Sequence, residues 1–340
     1  MSPNAPGPMS PSAATPVSTT GLRSSGDGGV FVPSSLWIDQ DNAGDEVAAR
    51  RERGEITAET AEELRFFIDN GYLVRPLGVD EALLDAIPAA AARFWQEKPA
   101  DLAYAFDGPA RRMTHADEER ERRSRSRIHD IHSHCDEALA LYLHPRIYDF
   151  IELALGEEAV AIQSLYFEFG SQQLLHRDPV VVPIGEPGHM IAAWIALEDI
   201  SPDCGPLTYV PGSHRLPYYE LAPGEYQYDG RRMGPEVVEK GLAWEDEQYR
   251  RHGLEKKLFT PKKGEFLLWH ASLSHGGSEV RDERLTRKSL VVHFTSRRTY
   301  EERSITIAEP GPDGDRQEVL ATRELIERDG RRGFQNPMLG

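Results

Sequence analysis

The chain has 340 residues, 39% of them apolar, with five Trp, twelve Tyr and twelve Phe, enough to bury a sizeable core as one large or two ordinary domains. Fifty-six acidic residues against 39 basic ones give a formal net charge of -17, a field that repels nucleic acid and anionic membrane surfaces. Two cysteines, Cys135 and Cys204, exclude a disulfide framework and lack the short spacings of a structural zinc site. No apolar run approaches the roughly 20 residues of a membrane span, and the first residues form neither a cationic start nor an apolar core of a signal peptide. The expectation is a cytoplasmic protein with a small-molecule partner.

Residues 1–30 are rich in Pro, Ser, Gly, Thr and Ala, cannot offset their own ordering entropy, and read as a disordered leader. A single domain is expected over 31–308, with a helical part at 35–156. Thr57 caps a helix that carries Leu64, Phe67 and Ile68 and stops at Asn70-Gly71; a strand from Tyr72 follows. Leu83, Leu84, Ile87, Ala91 and Phe94 recur at helical spacing over about 80–97. The charged stretch 109–134, which ends near His129, His132 and His134, reads either as a solvated helix or loop or as a polar lid. A further helix is expected over 136–155.

From residue 157 the texture changes to short strand-like segments bounded by Gly and Pro: AVAIQSLYFEFG, LLHRDPVVVP, MIAAWIALEDI, GPLTYVPGSH, KKLFTP, GEFLLWHASLSH and RKSLVVHFT. Such a series to about residue 300 predicts a double sheet or barrel. An aromatic-rich insert at 215–255 interrupts it, as surface decoration or as a pocket wall. The polar tail 309–340 carries one expected helix near 316–328.

The residues that carry chemistry are His176-Arg177-Asp178 and, 97 positions on, His275. Two imidazoles and one carboxylate can hold one face of an Fe(II) ion and leave the other open. On an extended segment His176 and Asp178 project to one side and Arg177 to the other, whereas a helix would part them by about 200°. Twelve histidines make chance combinations common, so context decides: one run ends in the triplet, another ends in His275 before Gly-Gly, and Arg287 opens the next strand.

These segments, HRD, AAWIALEDISPDCGPLTYVPGSH and GEFLLWHASLSHGG followed by RKSLVVHF, resemble the phytanoyl-CoA dioxygenase family of Fe(II)/2-oxoglutarate oxygenases. The resemblance runs over roughly 57–297. It implies a mainly β protein with flanking helices and a double-stranded β-helix (jelly roll, cupin-like) core. It also implies His176, Asp178 and His275 as iron ligands and Arg287 as partner of the far carboxylate of 2-oxoglutarate. Gln163, Trp194 and Thr208 occupy positions near the cosubstrate. A guanidinium suits that carboxylate because it pairs bidentately at modest desolvation cost; Arg284 is the rival. His270 and His214 are expected to be hydrogen-bonded neighbours, His189 and His293 structural. Where related halogenases carry a small residue, this chain keeps Asp178.

The implied reaction uses 2-oxoglutarate and O2, forms succinate and CO2, and oxidises a C–H of a small molecule. Hydroxylation is the default, with cyclisation, desaturation or epimerisation as variants. The polar segments lean toward a hydroxyl- or amine-bearing substrate such as a sugar or aminoglycoside; the acidic balance leans away from a CoA thioester, for whose phosphates the arginine cluster at 122–127 is the one candidate. Two other classes stay open: a non-catalytic jelly-roll binding protein, and a zinc-dependent cupin-type enzyme.

Overall fold

In the computed structural model the first long helix runs Ala58–Asn70, and its ends follow from the residues there. Thr57 accepts a hydrogen bond from the Thr60 amide at 3.1 Å, and Gly71 leaves the helix at φ 76°, a left-handed turn that glycine makes without steric cost. The structure describes residues 23–335 apart from 107–109, 123–124, 183–185, 187, 231, 301–304, 311–315 and 322–323. The strand Tyr72–Pro76 follows, then a helix Glu81–Glu97 capped by Asp80. The helix expected over 136–155 is two, Asp136–Tyr142 and Pro145–Leu155. Pro145 holds His144 in extended backbone and opens the second helix as its first residue, where its missing amide costs nothing.

One large sheet orders its strands Tyr72–Pro76, Glu265–His270, Met190–Ala196, Ser289–Ser296, Ala159–Phe167, Arg127–His129, Ala103–Ala105 and Ala110–Arg112. Each neighbouring pair is antiparallel. A smaller sheet joins Lys257–Phe259, Leu207–Tyr209 and His275–Gly277. This is the jelly-roll arrangement expected, without closure into a barrel. Ile191, Ala193, Ile195, Phe266 and Leu268 face the helices, where they meet Leu64, Phe67, Ile147 and Ile151. Their alternates Ala192, Trp194, Leu267 and Trp269 face the smaller sheet through Leu207, Tyr209 and Phe259. Burial of both faces is why these strands read as unbroken apolar runs.

Four expectations change. Residues 1–22 of the expected leader lie outside the described residues, but Arg23–Ser24 and Gly29–Phe31 pair as strands, the second also with Tyr218–Tyr219. The charged stretch 109–134 is more than a solvated helix or loop: it holds a helical turn at Glu118–Arg122 and a strand, Arg127–His129, that joins the large sheet beside Ala159–Phe167. The insert is a helix, Pro235–His252, whose Trp244 and Gln248 reach back to Asp27. The helix expected near 316–328 is strand: Arg316–Ala321 pairs with Ile305–Pro310, and Glu324–Arg328 with Arg331–Gln335. Asp329 and Gly330 both take positive φ, 51° and 77°, the backbone of a tight hairpin turn. The hairpin's second strand then lies parallel to Ala159–Phe167, with Gly333 opposite Ala161.

Candidate functional site

His176 and His275 face each other across an antiparallel bridge, each donating its amide to the other's carbonyl at 2.9 Å. The extended path expected through the triplet ends at Arg177, since Asp178 and Pro179 begin a single helical turn, Asp178–Val181. His176 and Asp178 still converge. Asp178 Oδ1 lies 3.9 Å from His176 Nε2 and 3.6 Å from His275 Nε2, and the three donor atoms lie within 4.8 Å of one another. Donors at right angles about 2.1 Å from one ion stand about 3 Å apart, so a small inward movement would complete the set.

The surroundings fix each donor's lone pair. Nδ1 of His176 lies 2.8 Å from the Leu174 carbonyl, and Nδ1 of His275 lies 2.9 Å from that of Leu273. A carbonyl only accepts, so each Nδ1 carries the proton and each Nε2 presents its lone pair to the shared point. Burial holds both imidazoles down to about 4, leaving them neutral at pH 7, as a metal requires. Trp269 donates its indole N–H to Asp178 Oδ2 at 2.8 Å, which turns Oδ1 toward the histidines. Trp269→Phe should therefore weaken metal binding about 10–100-fold, measured by anaerobic Co(II) titration; unchanged affinity would mean that the carboxylate needs no such support.

A cavity of about 200 Å³ contains all three donors and is also lined by Arg287, Trp194, Gln163, His293, Arg127 and His129. Arg287 is 2% exposed, and its guanidinium lies 5.2 Å from the Phe167 ring and 5.7 Å from that of Trp194. No carboxylate among the described residues pairs with it, and its Nε and the indole N–H of Trp194 are buried without a hydrogen-bond partner. Burial brings the Arg287 guanidinium down to about 10. Two orphaned donors and an uncompensated cation beside three metal donors are what a metal-chelating dicarboxylate would satisfy, so the residues fit iron with 2-oxoglutarate. Arg284, the rival arginine, is 89% exposed and paired with Asp282.

Gln163 sits on the cavity wall, its Nε2 3.4 Å from His293 Nδ1. Thr208 requires correction, because its neighbours Leu207 and Tyr209 face inward and Leu207 is the one that lines the cavity. Strand parity turns Thr208 the other way. His270 is a hydrogen-bonded neighbour as expected: it faces away from the metal donors, 3.3 Å from Asp39. His214 meets the Ile68 carbonyl at 3.0 Å, and His189 meets Ser35 at 2.6 Å. His293, expected to be structural, lines the cavity. Sequence reasoning passed over Trp269 and took Arg127 and His129 only as members of a charged stretch, although i, i+2 spacing in Arg127–His129 was a signal for a shared face.

Arg177, between the two near candidate ligands, is fully buried and points away from them. It donates to the Leu216 and Pro217 carbonyls at 2.9 and 3.0 Å and lies 3.1 Å from Glu245 of the insert helix, an ion pair without hydrogen-bond alignment. Tyr249, one turn on, donates to Glu245 and also meets Ser274, beside His275. The insert thus braces both segments that carry the candidate metal donors.

The phytanoyl-CoA dioxygenase (PhyH) family profile matches residues 67–289. The peroxisomal phytanoyl-CoA dioxygenase of Mus musculus is 26% identical over 291 residues, covering 82% of this chain and 78% of that protein. Its Bos taurus counterpart is 25% identical over 244 residues, covering 68% and 67%. Among solved structures, the non-heme alpha ketoglutarate dependent carbocyclase SnoK from nogalamycin biosynthesis superposes with a TM-score of 0.53 at 20% identity, covering 78% of this chain and 95% of that one. EctD from S. alaskensis, with 2-oxoglutarate and 5-hydroxyectoine, gives 0.50 at 20% identity, covering 72% and 77%. The chain belongs to the phytanoyl-CoA dioxygenase family and is an Fe(II)- and 2-oxoglutarate-dependent dioxygenase.

Proposed function

We propose that the chain oxidises an unactivated C–H bond of a small polar molecule at a centre formed by His176, Asp178 and His275. The observation that carries this is the common cavity of three convergent metal donors and the unpaired, buried Arg287. In this reading Arg287 receives the far carboxylate of 2-oxoglutarate, and the Trp194 indole and Gln163 amide supply hydrogen bonds beside it. Iron(II) with bound 2-oxoglutarate supplies the activation of O2, coupled to decarboxylation to succinate and CO2. The protein's own contribution is positioning: the cavity wall selects which C–H faces the metal, and that choice sets the product.

Hydroxylation is the default outcome. Solved proteins of this fold include a carbocyclase and an epimerase, so the architecture alone does not dictate it. Asp178 fills the coordination position that a halide would need, which disfavours halogenation. With about 200 Å³ available, less than the usual 300–1,000 Å³ of a ligand pocket, the cavity suits the cosubstrate and the reacting end of a substrate better than an enclosed CoA thioester.

The test is O2- and Fe(II)-dependent succinate formation from 2-oxoglutarate, with the visible charge-transfer band of the anaerobic chelate as a second readout. Both should fall by at least about 100-fold in His176→Ala and Asp178→Ala, since each removes one of three donors. Metal-independent binding of 2-oxoglutarate without turnover would instead favour a non-catalytic binding protein; full activity with Zn(II) would favour a cupin-type zinc enzyme.

A further inference from the structure

His293 stands on the Ser289–Ser296 strand between Gln163 on one neighbouring strand and Ala192 on the other. It lines the metal cavity together with Gln163 and Trp269. The pairing slips immediately afterwards: Phe294 stands opposite Ala161, so Ile162 is passed over in that ladder. A bulge of this kind ends regular pairing and re-aims the side chains beside it. The Trp269 ring meets His293 edge-on with centroids 6.1 Å apart, lies 4.8 Å from the His275 ring, and holds Asp178 through its indole N–H. One aromatic ring thus separates His293 from the metal donors.

An amide nitrogen only donates, and Nε2 of Gln163 lies 3.4 Å from His293 Nδ1. Nδ1 is therefore the acceptor, which leaves the ring neutral with its proton on Nε2. That Nε2 has no hydrogen bond with a described residue, yet it is not sealed off as Trp194 Nε1 and Arg287 Nε are. It opens on the cavity as a donor. The walls beside it are apolar: Val181 and Val182, from the turn that Asp178 begins, line the cavity, and Val182 packs against Val160, Ile162, Met190 and Ala271. Bound 2-oxoglutarate does not need this donor, because its far carboxylate pairs with Arg287, six positions earlier, and its keto-acid end binds the metal. A single N–H among apolar walls fixes the orientation of what occupies them, and an occupant that leaves it unmatched loses affinity.

We infer that His293 is a specificity-determining residue whose Nε2–H donates to an oxygen of the primary substrate, a hydroxyl or carbonyl near the C–H that is oxidised. This rests on the proposed iron and 2-oxoglutarate site and narrows its substrate class from polar to oxygen-bearing at the reacting end. An ammonium in the same place would set donor against donor, with no lone pair between them. The apolar valines take the carbon skeleton beside that oxygen.

The test uses the full chain with nitrogen-15 in its histidine and tryptophan rings, loaded with 2-oxoglutarate and Zn(II) as a diamagnetic, redox-inert stand-in for Fe(II). The His293 signals are those missing from His293→Gln, and their shifts should place the ring proton on Nε2. Isopropanol, acetone and isopropylamine, alike in shape, are then titrated in at neutral pH and constant ionic strength. The expected result is a saturable shift of the Nε2 signal with the alcohol or the ketone, at least tenfold tighter than with the ammonium. Followed at the Trp269 indole, that binding should weaken by about fivefold or more in His293→Phe and be partly kept in His293→Gln, which retains a donor. A proton on Nδ1, no saturable binding to the wild-type complex, equal binding of the ammonium, or binding unchanged in His293→Phe overturns the inference. So does a tenfold weaker 2-oxoglutarate affinity in His293→Phe, which would make the ring a support for Gln163 in holding the cosubstrate. If 2-oxoglutarate binding to the wild type does not depend on Zn(II) at the outset, the underlying site assignment fails instead.

Discussion

Arg287→Gln should raise the 2-oxoglutarate requirement at least about 30-fold while leaving the apoprotein as stable as before or more so. Truncating one partner of a buried charge pair costs about 2–5 kcal/mol, and 2 kcal/mol is already about 30-fold. Without ligand the same arginine is a liability, because it is 2% exposed and lacks a carboxylate among the described residues. Replacing a buried, unpaired charge removes a desolvation penalty. Wild-type protein should therefore melt higher with Mn(II) and 2-oxoglutarate, by about 2.7 kcal/mol at 100 times Kd, and the variant should lose most of that gain. Anaerobic titration and calorimetry read both quantities. An unchanged requirement would show that the wrong arginine was chosen, and a lower apo melting temperature would make Arg287 a structural residue.

Arg177→Ala should be the most destabilising change near the site, at about 3–5 kcal/mol. The guanidinium is fully buried, and its loss leaves Glu245, with a side chain 11% exposed, without its cation. It also removes two hydrogen bonds to carbonyls. For a domain of this size the melting temperature should drop by roughly 10 °C, and Co(II) affinity should fall as His176 and Asp178 lose the brace between them. The paired replacement Arg177→Met with Glu245→Leu should recover most of the stability, since an apolar pair can replace a buried ion pair. Failure of the pair to recover would point to the carbonyl contacts rather than to Glu245.

Much of this site was legible because its chemistry constrains residue type and spacing together. His176 and His275 could be chosen from twelve histidines, with Asp178 beside the first, only because strand-like runs delivered them, and the bridge between the two histidines is the fold's solution to their distance in sequence. Arg287 was separable from Arg284 by the apolar strand that follows it. Thr208 failed on parity, since a one-residue step on a strand reverses the facing side. Arg127 was hidden by its neighbours: a run dense in both charges reads as solvated surface, yet Glu118 and Glu121 pair with Arg122, Arg120 and Arg111 while Arg127 lines the cavity. The link from Glu245 to Arg177 spans 68 positions of unrelated sequence, and no local pattern announces it.

The parallel docking of Arg331–Gln335 against the Ala159–Phe167 strand has a practical consequence for handling the protein. Expression fragments cut to the 67–289 span would discard both that hairpin and all but the first residue of the Ser289–Ser296 strand, baring backbone amides and carbonyls along a long apolar ribbon. Such a rim recruits other chains by the same hydrogen bonds. Insoluble product from a trimmed clone would then report on an uncovered margin rather than on a failure of the catalytic region to fold, and soluble material should return once residues to 335 are restored.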